Sequence, residues 1–456
     1  MYLEKVKSEG IAHLSYIIGD GNQAVVIDPR RDCGIYVEIA ARHGSRITHI
    51  FETHRNEDYV IGSLDLASLT GAAIHHGRAL DFDYGEPVDD GDTFDVNDLR
   101  LEVLETPGHT MESISIVVRD RGADGTPVGV FTGDALFVGD VGRTDFYPDR
   151  PQEVAGMLYD SIFKKLLPLG DQTILYPAHG AGSVCGEGMS SREFSTLGHE
   201  RLTNPALQRG AREEFVAFKV SERHHQPPYF ATMERYNQHG PPSMLVVPMP
   251  PPLPAADVAS AVHAGAHVVD LRSPEAIAGA FIPDSLAIPV DMLPGYAGYL
   301  LDYGRDIVLV PEHREQVLQA VRHLVRMGYD RIVGYLEGGL HAWEVSGRRY
   351  DRIGAVHAEP LVERLRSDEE FTLLDVRKHS EWEAGRLEGA VHIFLGELPD
   401  RVDELDRSRP VVTFCGSGQR AIIAASILKQ HGFEQVEDSL GSMSACQSIG
   451  CPIEGS

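Results

Sequence analysis

Short apolar stretches separated by polar or glycine-rich turns recur along the chain and predict alternating strands and helices. In the N-terminal half, the apolar strands that lead into such turns are residues 24–27, 47–51, 101–104, 129–131 and 173–176. A helix is expected after the first strand, with Asp32 as its cap and Gly44 as its stop, because these residue types commonly flank helices. This order of elements is typical of layered α/β folds.

Residues 240–254 contain seven prolines and mark the clearest break in the pattern. Proline fixes φ and lacks an N–H, so this stretch excludes a helix or a central strand and predicts a stiff connector. At about 150 residues per domain, a chain of 456 residues suggests about three domains. The connector therefore separates one N-terminal domain from a C-terminal part that has room for two.

The C-terminal part contains an internal repeat. Residues 268–272 (Val-Val-Asp-Leu-Arg) match residues 373–377 (Leu-Leu-Asp-Val-Arg) at an offset of 373 − 268 = 105. Each repeat opens with an apolar strand that ends in Asp-x-Arg, and then alternates strand with helix. This pattern predicts a small α/β domain with a parallel sheet, present twice.

Composition excludes several classes of function. Lys and Arg total 41 and Asp and Glu total 68, so a net charge of −27 disfavours nucleic acid and anionic membranes as partners. The N-terminus lacks an apolar signal core, and no run approaches the ~20 apolar residues of a membrane span. Five cysteines are too few for a disulfide framework. We therefore expect a cytoplasmic protein, and we also expect a homo-oligomer.

Histidines and carboxylates gather in the turns that follow four N-terminal strands. These turns read Glu-Thr-His-Arg-Asn-Glu-Asp-Tyr at 52–59, Thr-Pro-Gly-His-Thr at 106–110, Thr-Gly-Asp at 132–134 and Tyr-Pro-Ala-His at 176–179. A single histidine after a strand is usually a capping or surface residue, but four such turns in order are hard to assign to packing. Since ligands converge at strand-end loops of layered α/β folds, the turns predict a binding site.

In order and spacing, these turns resemble the metallo-β-lactamase superfamily, whose αββα sandwich carries metal ligands on such loops. The usual first motif of that superfamily is T-H-x-H-x-D-H. Here Asn56 stands at the second His and Tyr59 at the last, whereas Asp58 is kept. A glyoxalase II-like hydrolase holds two metals, and both of its metal seats would have lost a ligand in this chain.

The residues that remain are similar to the persulfide dioxygenase branch of the superfamily. This resemblance implies one Fe(II) per chain on His54, His109 and Asp134, a set of two imidazoles and one carboxylate that suits a non-haem iron oxygenase. It also implies the oxidation of a low-molecular-weight persulfide by O₂ to sulfite. Asp58 and His179 would then orient the ligands or act as acid–base groups.

Two further residues near these turns are candidates for substrate handling. Arg143 lies in the sequence Gly-Arg-Thr-Asp-Phe at 142–146, a second local match to the same branch, and would hold a carboxylate of a glutathione-like substrate. Cys185 follows His179 by a few residues and is a candidate for carrying a persulfide close to the iron.

A second chemical site is predicted at Cys415, between an apolar strand at 411–414 and a helical run at 421–431. The N–H groups of a glycine-rich loop at a helix N-terminus stabilise an anion, so Cys415 would be held as a nucleophilic thiolate. Arg420 adds a fixed positive charge for an anionic donor or acceptor. The residues predicted to cradle the bound sulfur are Gly416, Ser417, Gly418 and Gln419.

This loop resembles the active loop of a rhodanese domain. Cys415 and Arg420 are separated by four residues, whereas cysteine-dependent phosphatases of related fold use the wider C-x5-R loop. In the first repeat, residues 307–314 read Ile-Val-Leu-Val-Pro-Glu-His-Arg, with no cysteine, no glycine and a shorter loop. The first repeat therefore resembles an inactive rhodanese copy and the second an active one.

The sequence thus predicts an α/β chain of three domains. An αββα metallo-β-lactamase-fold domain is expected at residues 1–240, an inactive rhodanese-like domain at 255–352 and an active rhodanese domain at 356–456, the last two with parallel sheets. The expected function is iron-dependent persulfide oxidation to sulfite, with sulfur transfer between persulfide, sulfite and thiosulfate in sulfide detoxification. Two alternatives stay open: a two-metal thioester hydrolase with a sulfurtransferase tail, and a non-catalytic sulfur carrier.

Overall fold

The computed structural model describes residues 1–122, 125–183, 186, 188–192, 194–367 and 369–455. The chain divides into two compact units. The first comprises Met1–Val247 with Val325–Gly328, and the second comprises Pro248–Leu324 with Tyr329–Ser456. The passage from Val247 to Pro248 lies inside the proline-rich stretch at residues 240–254.

The first unit is built on two six-stranded sheets. The strands of the first sheet, in chain order and in spatial order, are β1 Tyr2–Ser8, β2 His13–Asp20, β3 Gln23–Ile27, β4 Arg46–Phe51, β5 Ala73–Gly77 and β6 Glu86–Val88. Those of the second sheet are β7 Thr93–Val96, β8 Leu99–Glu105, β9 Ile114–Asp120, β10 Pro127–Gly133, β11 Ile174–Pro177 and β12 Ser195–Thr196. Each sheet combines antiparallel hairpins with parallel pairs such as β3–β4 and β10–β11.

The helices of this unit cover the outer faces of the sheets. They are α1 Gly34–Arg42, α2 Ser63–Thr70, α3 Pro151–Asp160, α4 Leu197–Thr203, α5 Arg212–Ser221 and α6 Phe230–His239. Alternation along β2 shows the layering, because Tyr16 and Ile18 pack between the sheets whereas Ile17 packs with the α1 residues Tyr36 and Ile39. On the other side, α3 and α5 pack against β9 and β10. The predicted αββα sandwich is therefore confirmed.

The second unit contains two five-stranded sheets of the same topology. The first has the order β13-β17-β16-β14-β15, with strands β13 Pro252–Leu253, β14 His267–Asp270, β15 Leu286–Ala287, β16 Ile307–Val310 and β17 Ile332–Leu336. The second has the order β18-β23-β22-β19-β21, with strands β18 Gly354–Val356, β19 Thr372–Asp375, β21 Val391–His392, β22 Val411–Phe414 and β23 Val436–Ser439. A small antiparallel pair joins β20 Arg386–Leu387 to β24 Ile453–Glu454.

All pairings within the two five-stranded sheets are parallel, as the sequence repeat predicts. The helices of the first repeat are α7 Ala255–His263, α8 Pro274–Gly279, α9 Leu293–Leu300, α10 Arg314–Arg326 and α11 Gly339–Val345. Those of the second repeat are α12 Ala358–Leu365, α13 His379–Ala384, α14 Leu398–Arg401, α15 Gln419–Gln430 and α16 Ser442–Ile449. The Asp-x-Arg motif is a buried ion pair in both repeats, with 2.6 Å between Arg272 and Asp270 and between Arg377 and Asp375.

Proline content explains why the connector contributes so little regular structure. Only Pro252–Leu253 of this stretch forms a strand, and that strand lies at the edge of its sheet, where a missing N–H is tolerated. Across the part of the chain that the structure describes, no helix combines the length and the apolar character that crossing a membrane requires.

Candidate metal centre and cysteine loop

The four predicted turns of the first unit lie at the carboxyl ends of strands from both sheets. Residues 52–59 follow β4, residues 106–110 follow β8, Asp134 follows β10 and His179 follows β11. The side chains that these turns carry are far apart in the sequence but lie in contact in the structure. The edge of the sandwich thus forms one buried polar site.

Three ligand atoms face one another at this site. His54 Nε2 lies 3.8 Å and His109 Nε2 lies 3.5 Å from Asp134 Oδ2. All three residues are buried, and their ligand atoms lie within 4.8 Å of one another. Metal bonds to nitrogen and oxygen are about 2.0–2.2 Å long, so ligand atoms of one ion lie roughly 3–4 Å apart. The three residues are therefore spaced for a single metal ion.

Both imidazoles are fixed through their Nδ1 atoms. His109 Nδ1 donates to the Arg143 carbonyl at 3.0 Å. His54 Nδ1 lies 2.9 Å from Thr53 Oγ1, and this hydroxyl donates its proton to Asp28 Oδ2 at 2.8 Å, so it accepts from the imidazole. With Nδ1 engaged in this way, Nε2 is the atom that faces the site in both residues, and it binds a metal ion in its deprotonated form.

Asp134 is oriented by a chain of charged groups. Its Oδ1 lies 2.7 Å from His179 Nδ1, and His179 Nε2 lies 3.0 Å from Asp58 Oδ2. This leaves Asp134 Oδ2 directed at the two imidazoles. His54 Nε2, His109 Nε2 and Asp134 Oδ2 are buried and have no hydrogen-bond partner among the described residues. Because buried polar atoms are normally paired, these three fit a metal ion, and the chain's His-His-Asp group is a metal site.

The two residues that depart from the superfamily motif take no part in this group. The side-chain amide of Asn56 donates to the His54 carbonyl, two residues earlier in the same turn, at 3.1 Å. The ring of Tyr59 lies 3.9 Å from that of His13 and packs with Ile11 and Ile61. Asp58 contacts His179 rather than a second group of ligand atoms. The described residues therefore form no second metal-binding site beside the first.

Glu57 is the residue of this site that sequence reasoning missed. Its carboxylate is buried, with Oε1 3.3 Å from His109 Nε2 and Oε2 3.9 Å from His54 Nε2. Glu57 stands at a variable position of the T-H-x-H-x-D-H motif, so the motif gives no reason to select it. The available signal was its place between Asn56 and Asp58, in the same turn as the predicted ligand His54.

The charges of the site are strongly coupled. Burial lowers the pKa of His54 to about 4, which keeps its imidazole neutral at pH 7. Burial also disfavours the ionised form of Asp134, but His179 and His54 outweigh it and hold the pKa of Asp134 well below its usual range. Burial alone would lower the pKa of His109, but the Glu57 and Asp134 carboxylates raise it to about 9. The carboxylates thus attract a cation into the site.

Arg143 is buried and contacts the metal site through its main-chain carbonyl. Its guanidinium is buried and bidentate with Asp145, at 2.7 and 2.6 Å, and it lies over the ring of Phe146. Its carbonyl holds His109, which gives this segment a clear part in orienting the site. A substrate contact of Arg143 stays a prediction. The predicted relay residue Cys185 lies outside the described residues.

The predicted cysteine loop joins β22 to α15 in the second unit. Cys415 is buried, and its Sγ accepts a hydrogen bond from the Gly418 N–H at 3.1 Å. The Cys415 N–H donates to Ser442 Oγ at 3.1 Å, which fixes the base of the loop. Gly418 has φ +96°, a conformation that favours glycine. The backbone thus directs one N–H donor at the sulfur.

Arg420 stands one residue inside α15 and is held by an acidic partner. Two of its guanidinium nitrogens donate to the Glu381 carboxylate at 2.6 and 2.7 Å. A Cβ on Gly416 would lie 2.9 Å from the guanidinium, so the loop passes close to it. Of the remaining predicted residues, Ser417 lies in the loop and Gln419 begins the helix. The sequence did not reveal Glu381 as the partner of Arg420.

The first repeat has no comparable site. Strand β16 ends at Val310 and α10 begins at Arg314, which leaves the three residues Pro311, Glu312 and His313 between them. In the second repeat, four residues from Cys415 to Gly418 join β22 to α15. The first repeat therefore lacks both a thiol and one residue of the loop.

Family models match most of the chain. The model of the metallo-beta-lactamase superfamily matches residues 9–179, and the model of the rhodanese-like domain matches residues 254–346 and 358–448. The first of these matches includes all the metal-site residues, and the last includes Cys415 and Arg420.

Individual relatives agree with this division. The mitochondrial persulfide dioxygenase ETHE1 of Bos taurus is 32% identical over 221 residues, which cover 47% of this chain and 77% of that protein. A hydroxyacylglutathione hydrolase of Nitrosococcus oceani is 33% identical over 175 residues, covering 37% of this chain and 62% of that protein. A solved structure of a metallo-beta-lactamase from Staphylococcus aureus has a TM-score of 0.66 and 31% identity, and covers 74% of this chain and 98% of its own. The chain therefore belongs to the persulfide dioxygenase family of the metallo-β-lactamase superfamily, with two tandem rhodanese-like domains in its C-terminal region.

Proposed function

We propose that this protein oxidises a low-molecular-weight persulfide, such as glutathione persulfide, to sulfite and transfers sulfur between persulfide, sulfite and thiosulfate. The observation that carries the proposal is the single group of His54, His109 and Asp134, beside which no second metal seat forms among the described residues. A two-metal hydrolase would require that seat. The buried cysteine loop supplies the second activity.

The first reaction consumes one persulfide, one O₂ and one water. The S–S bond breaks, the terminal sulfur gives four electrons to O₂, and the products are the thiol, sulfite and two protons. When bound to the two imidazoles and the carboxylate, Fe(II) supplies the activation of O₂. His54, His109 and Asp134 hold the ion, while His179 and Asp58 keep Asp134 Oδ2 turned toward it.

The second reaction is proposed at Cys415. The Cys415 thiolate attacks the terminal sulfur of a persulfide, releases the parent thiol and becomes a persulfide itself. Sulfite then attacks that sulfur, which forms thiosulfate and restores the thiolate. The Gly418 N–H stabilises negative charge on Sγ, and Arg420 draws in the anionic reactants while Glu381 holds it in place.

We assign these activities to separate parts of the chain. Persulfide oxidation belongs to residues 1–240 and sulfur transfer to residues 356–456, whereas residues 255–352 carry no catalysis. We also propose that the protein is a homo-oligomer. Sulfite made at the first site is the acceptor at the second, which gives the fusion a chemical reason. Sedimentation velocity of the full chain tests the oligomer.

Metal analysis and oxygen uptake of anaerobically purified full chain test the first activity. We expect one iron per chain and one O₂ consumed per glutathione persulfide, with both lost in Asp134→Ala. Two zinc ions per chain with hydrolysis of an acylglutathione thioester, and no oxygen uptake, would instead establish the hydrolase. Absence of oxygen uptake with any persulfide would instead favour the non-catalytic sulfur carrier.

Cysteine substitution tests the second activity. Cys415→Ser should abolish thiosulfate formation from persulfide and sulfite and leave oxygen uptake with added persulfide unchanged. Cys451→Ser is the matched control, because Cys451 is a buried thiol of the same repeat that lies in its apolar core. Thiosulfate formation that survives Cys415→Ser would refute the assignment.

A further inference from the structure

A second carboxylate lies beside the three metal-site residues, and the superfamily motif does not account for it. Glu57 is 1% exposed, and its two oxygens lie 3.3 Å from His109 Nε2 and 3.9 Å from His54 Nε2. These are the nitrogen atoms that face into the site, because the Nδ1 atoms are engaged in hydrogen bonds elsewhere. Glu57 therefore shares the side of the site on which a metal ion is expected.

The backbone around Glu57 is held from several sides. The Asn237 side chain, on α6, donates to the carbonyls of Asn56 and Tyr59 at 2.7 Å each and accepts from the Ile61 N–H at 2.9 Å. The Arg55 N–H donates to Glu112 Oε1 at 2.9 Å. Every side-chain polar atom of Asn237 thus serves to fix the turn. The turn presents Glu57 to the site rather than to solvent.

Charge balance gives Glu57 a reason to be there. A divalent cation with two neutral imidazoles and Asp134 would carry one net positive charge in a fully buried place, which is costly in a medium of low dielectric. The neighbouring Asp58 and His179 share one proton between Oδ2 and Nε2, so together they add no net charge. One further carboxylate makes the centre neutral, and Glu57 is that carboxylate.

We propose that Glu57 is a fourth protein ligand of the metal ion, which makes this centre a two-histidine, two-carboxylate site. Glu57 is not among the residues whose ligand atoms lie within 4.8 Å of one another, so its carboxylate moves inward when the cation binds. Of six positions around an octahedral ion, two rather than three then remain open for O₂ and a substrate sulfur.

Metal binding to the full chain, measured without turnover, tests this proposal. Metal-free wild type and Glu57→Gln are titrated anaerobically with Co(II) in competition with a chromophoric chelator, and the d–d absorption of bound Co(II) is recorded. We expect Glu57→Gln to bind Co(II) at least ten-fold more weakly and to change the d–d bands. Glu52→Gln is the matched control, because Glu52 is equally buried in the same segment but accepts from Tyr84 Oη.

A crystal structure of the metal-loaded wild type provides a readout that needs no variant. A Glu57 oxygen about 2.0–2.2 Å from the ion supports the proposal, and an oxygen beyond 3 Å overturns it. Affinity and d–d bands that match between Glu57→Gln and wild type also overturn it. The inference rests on the metal site and not on persulfide oxidation, so either can fail alone: a wild type that binds one metal ion but consumes no O₂ refutes only the proposed function.

Discussion

Residues that never touch the metal decide how its ligands point. Thr53 illustrates this. Its hydroxyl donates its single proton to Asp28, so the hydroxyl oxygen can only accept a hydrogen bond from His54 Nδ1. The Thr53 N–H donates to the other oxygen of Asp28 at 2.7 Å, so both ends of the carboxylate are used. Such outer hydrogen bonds fix the tautomer and the ring orientation of a ligating histidine.

Thr53→Val removes the hydroxyl that links His54 Nδ1 to Asp28, which we call the Thr53 relay, and preserves the shape of the side chain. We expect the affinity for Co(II) or Fe(II) to fall about ten-fold, since His54 loses the partner that sets its tautomer. Thr53→Ser keeps the hydroxyl and should bind metal as wild type does. Equal affinities of the Val and Ser variants in a chelator competition would show that the relay has no influence on the metal.

Asp438, on β23, is a buried carboxylate outside both sites. Neither of its oxygens has a hydrogen-bond partner among the described residues. Burial raises the pKa of Asp438 to about 8, with a further contribution from Glu275. The group is therefore protonated in the folded protein at neutral pH, whereas in the unfolded chain it ionises above about pH 4.

This difference in pKa makes stability fall with pH, since between about pH 4 and pH 8 only the folded state retains the proton. Asp438→Asn removes this ionisable group. The free energy of unfolding of the variant minus that of wild type should therefore increase from pH 5 to pH 8 by on the order of 1–3 kcal/mol. Denaturant unfolding at both pH values measures it. Glu434→Gln, the same kind of substitution at an exposed position of the same repeat, is the matched control. A constant difference for Asp438→Asn would contradict the predicted ionisation.

At the scale of elements, chemistry in this chain is carried by short connections between regular structures. The cysteine loop depends on left-handed backbone at Gly418, which ends the loop and precedes α15. The other end of that helix is followed by Gly432, which also has a positive φ of 83°. Two glycines of like conformation thus flank one helix, and only the first touches the thiol.

Gly418→Ala should damage sulfur transfer, because a Cβ there is strained at φ +96° and would lie 3.3 Å from the Gly441 nitrogen. Strain of about 1–3 kcal/mol would shift the N–H away from Sγ. We expect at least a ten-fold loss of thiosulfate-to-cyanide sulfur transfer. Gly432→Ala, which has open space around it, should lower stability and leave transfer unchanged. Equal transfer rates of the two variants would rule out a role for the loop geometry.

Elements and their order were predictable from the sequence because hydrophobic periodicity is local information. Helix α1 appears where expected, although its first flanking residue is Cys33 and Asp32 pairs with Arg30 instead of capping. The contacts that complete each site are not local. Asn237 hydrogen-bonds to the turn that contains Glu57, some 180 residues away in the sequence. Glu381, on another helix, accepts hydrogen bonds from Arg420. Glu57 escaped prediction for the same reason, since the turn that points it inward is fixed by Asn237.

At the scale of the whole molecule, the two kinds of chemistry lie in two compact units. The metal-site residues all belong to the first unit, and Cys415 and Arg420 belong to the second. The strongly acidic composition makes the few cationic groups near each site important for anionic substrates. At each site the nearby arginine already forms an ion pair with a carboxylate: Arg143 pairs with Asp145, and Arg420 pairs with Glu381.

Metal loading should stabilise the folded chain by mass action. At a free metal concentration of about 100 times the Kd, binding contributes about 2.7 kcal/mol to the free energy of unfolding. Scanning calorimetry of the full chain should therefore show the midpoint of one transition rise on addition of Fe(II) under anaerobic conditions, and fall on chelation. Asp134→Asn should not respond to metal. A midpoint that moves equally in that variant would indicate binding elsewhere.

The short connection in the first repeat has a consequence for how its inactivity can be reversed. Between Val310 and Arg314 there are three residues where the second repeat has four, and the first of them is a proline, which has no N–H to offer. A cysteine introduced at Pro311 would stand in a loop that is one amide too short to surround a sulfur anion. Single substitutions therefore cannot return this repeat to catalysis; an insertion is needed as well. Catalysis in this repeat would thus require two changes together, an inserted residue and a cysteine, and neither change alone would form a sulfur site.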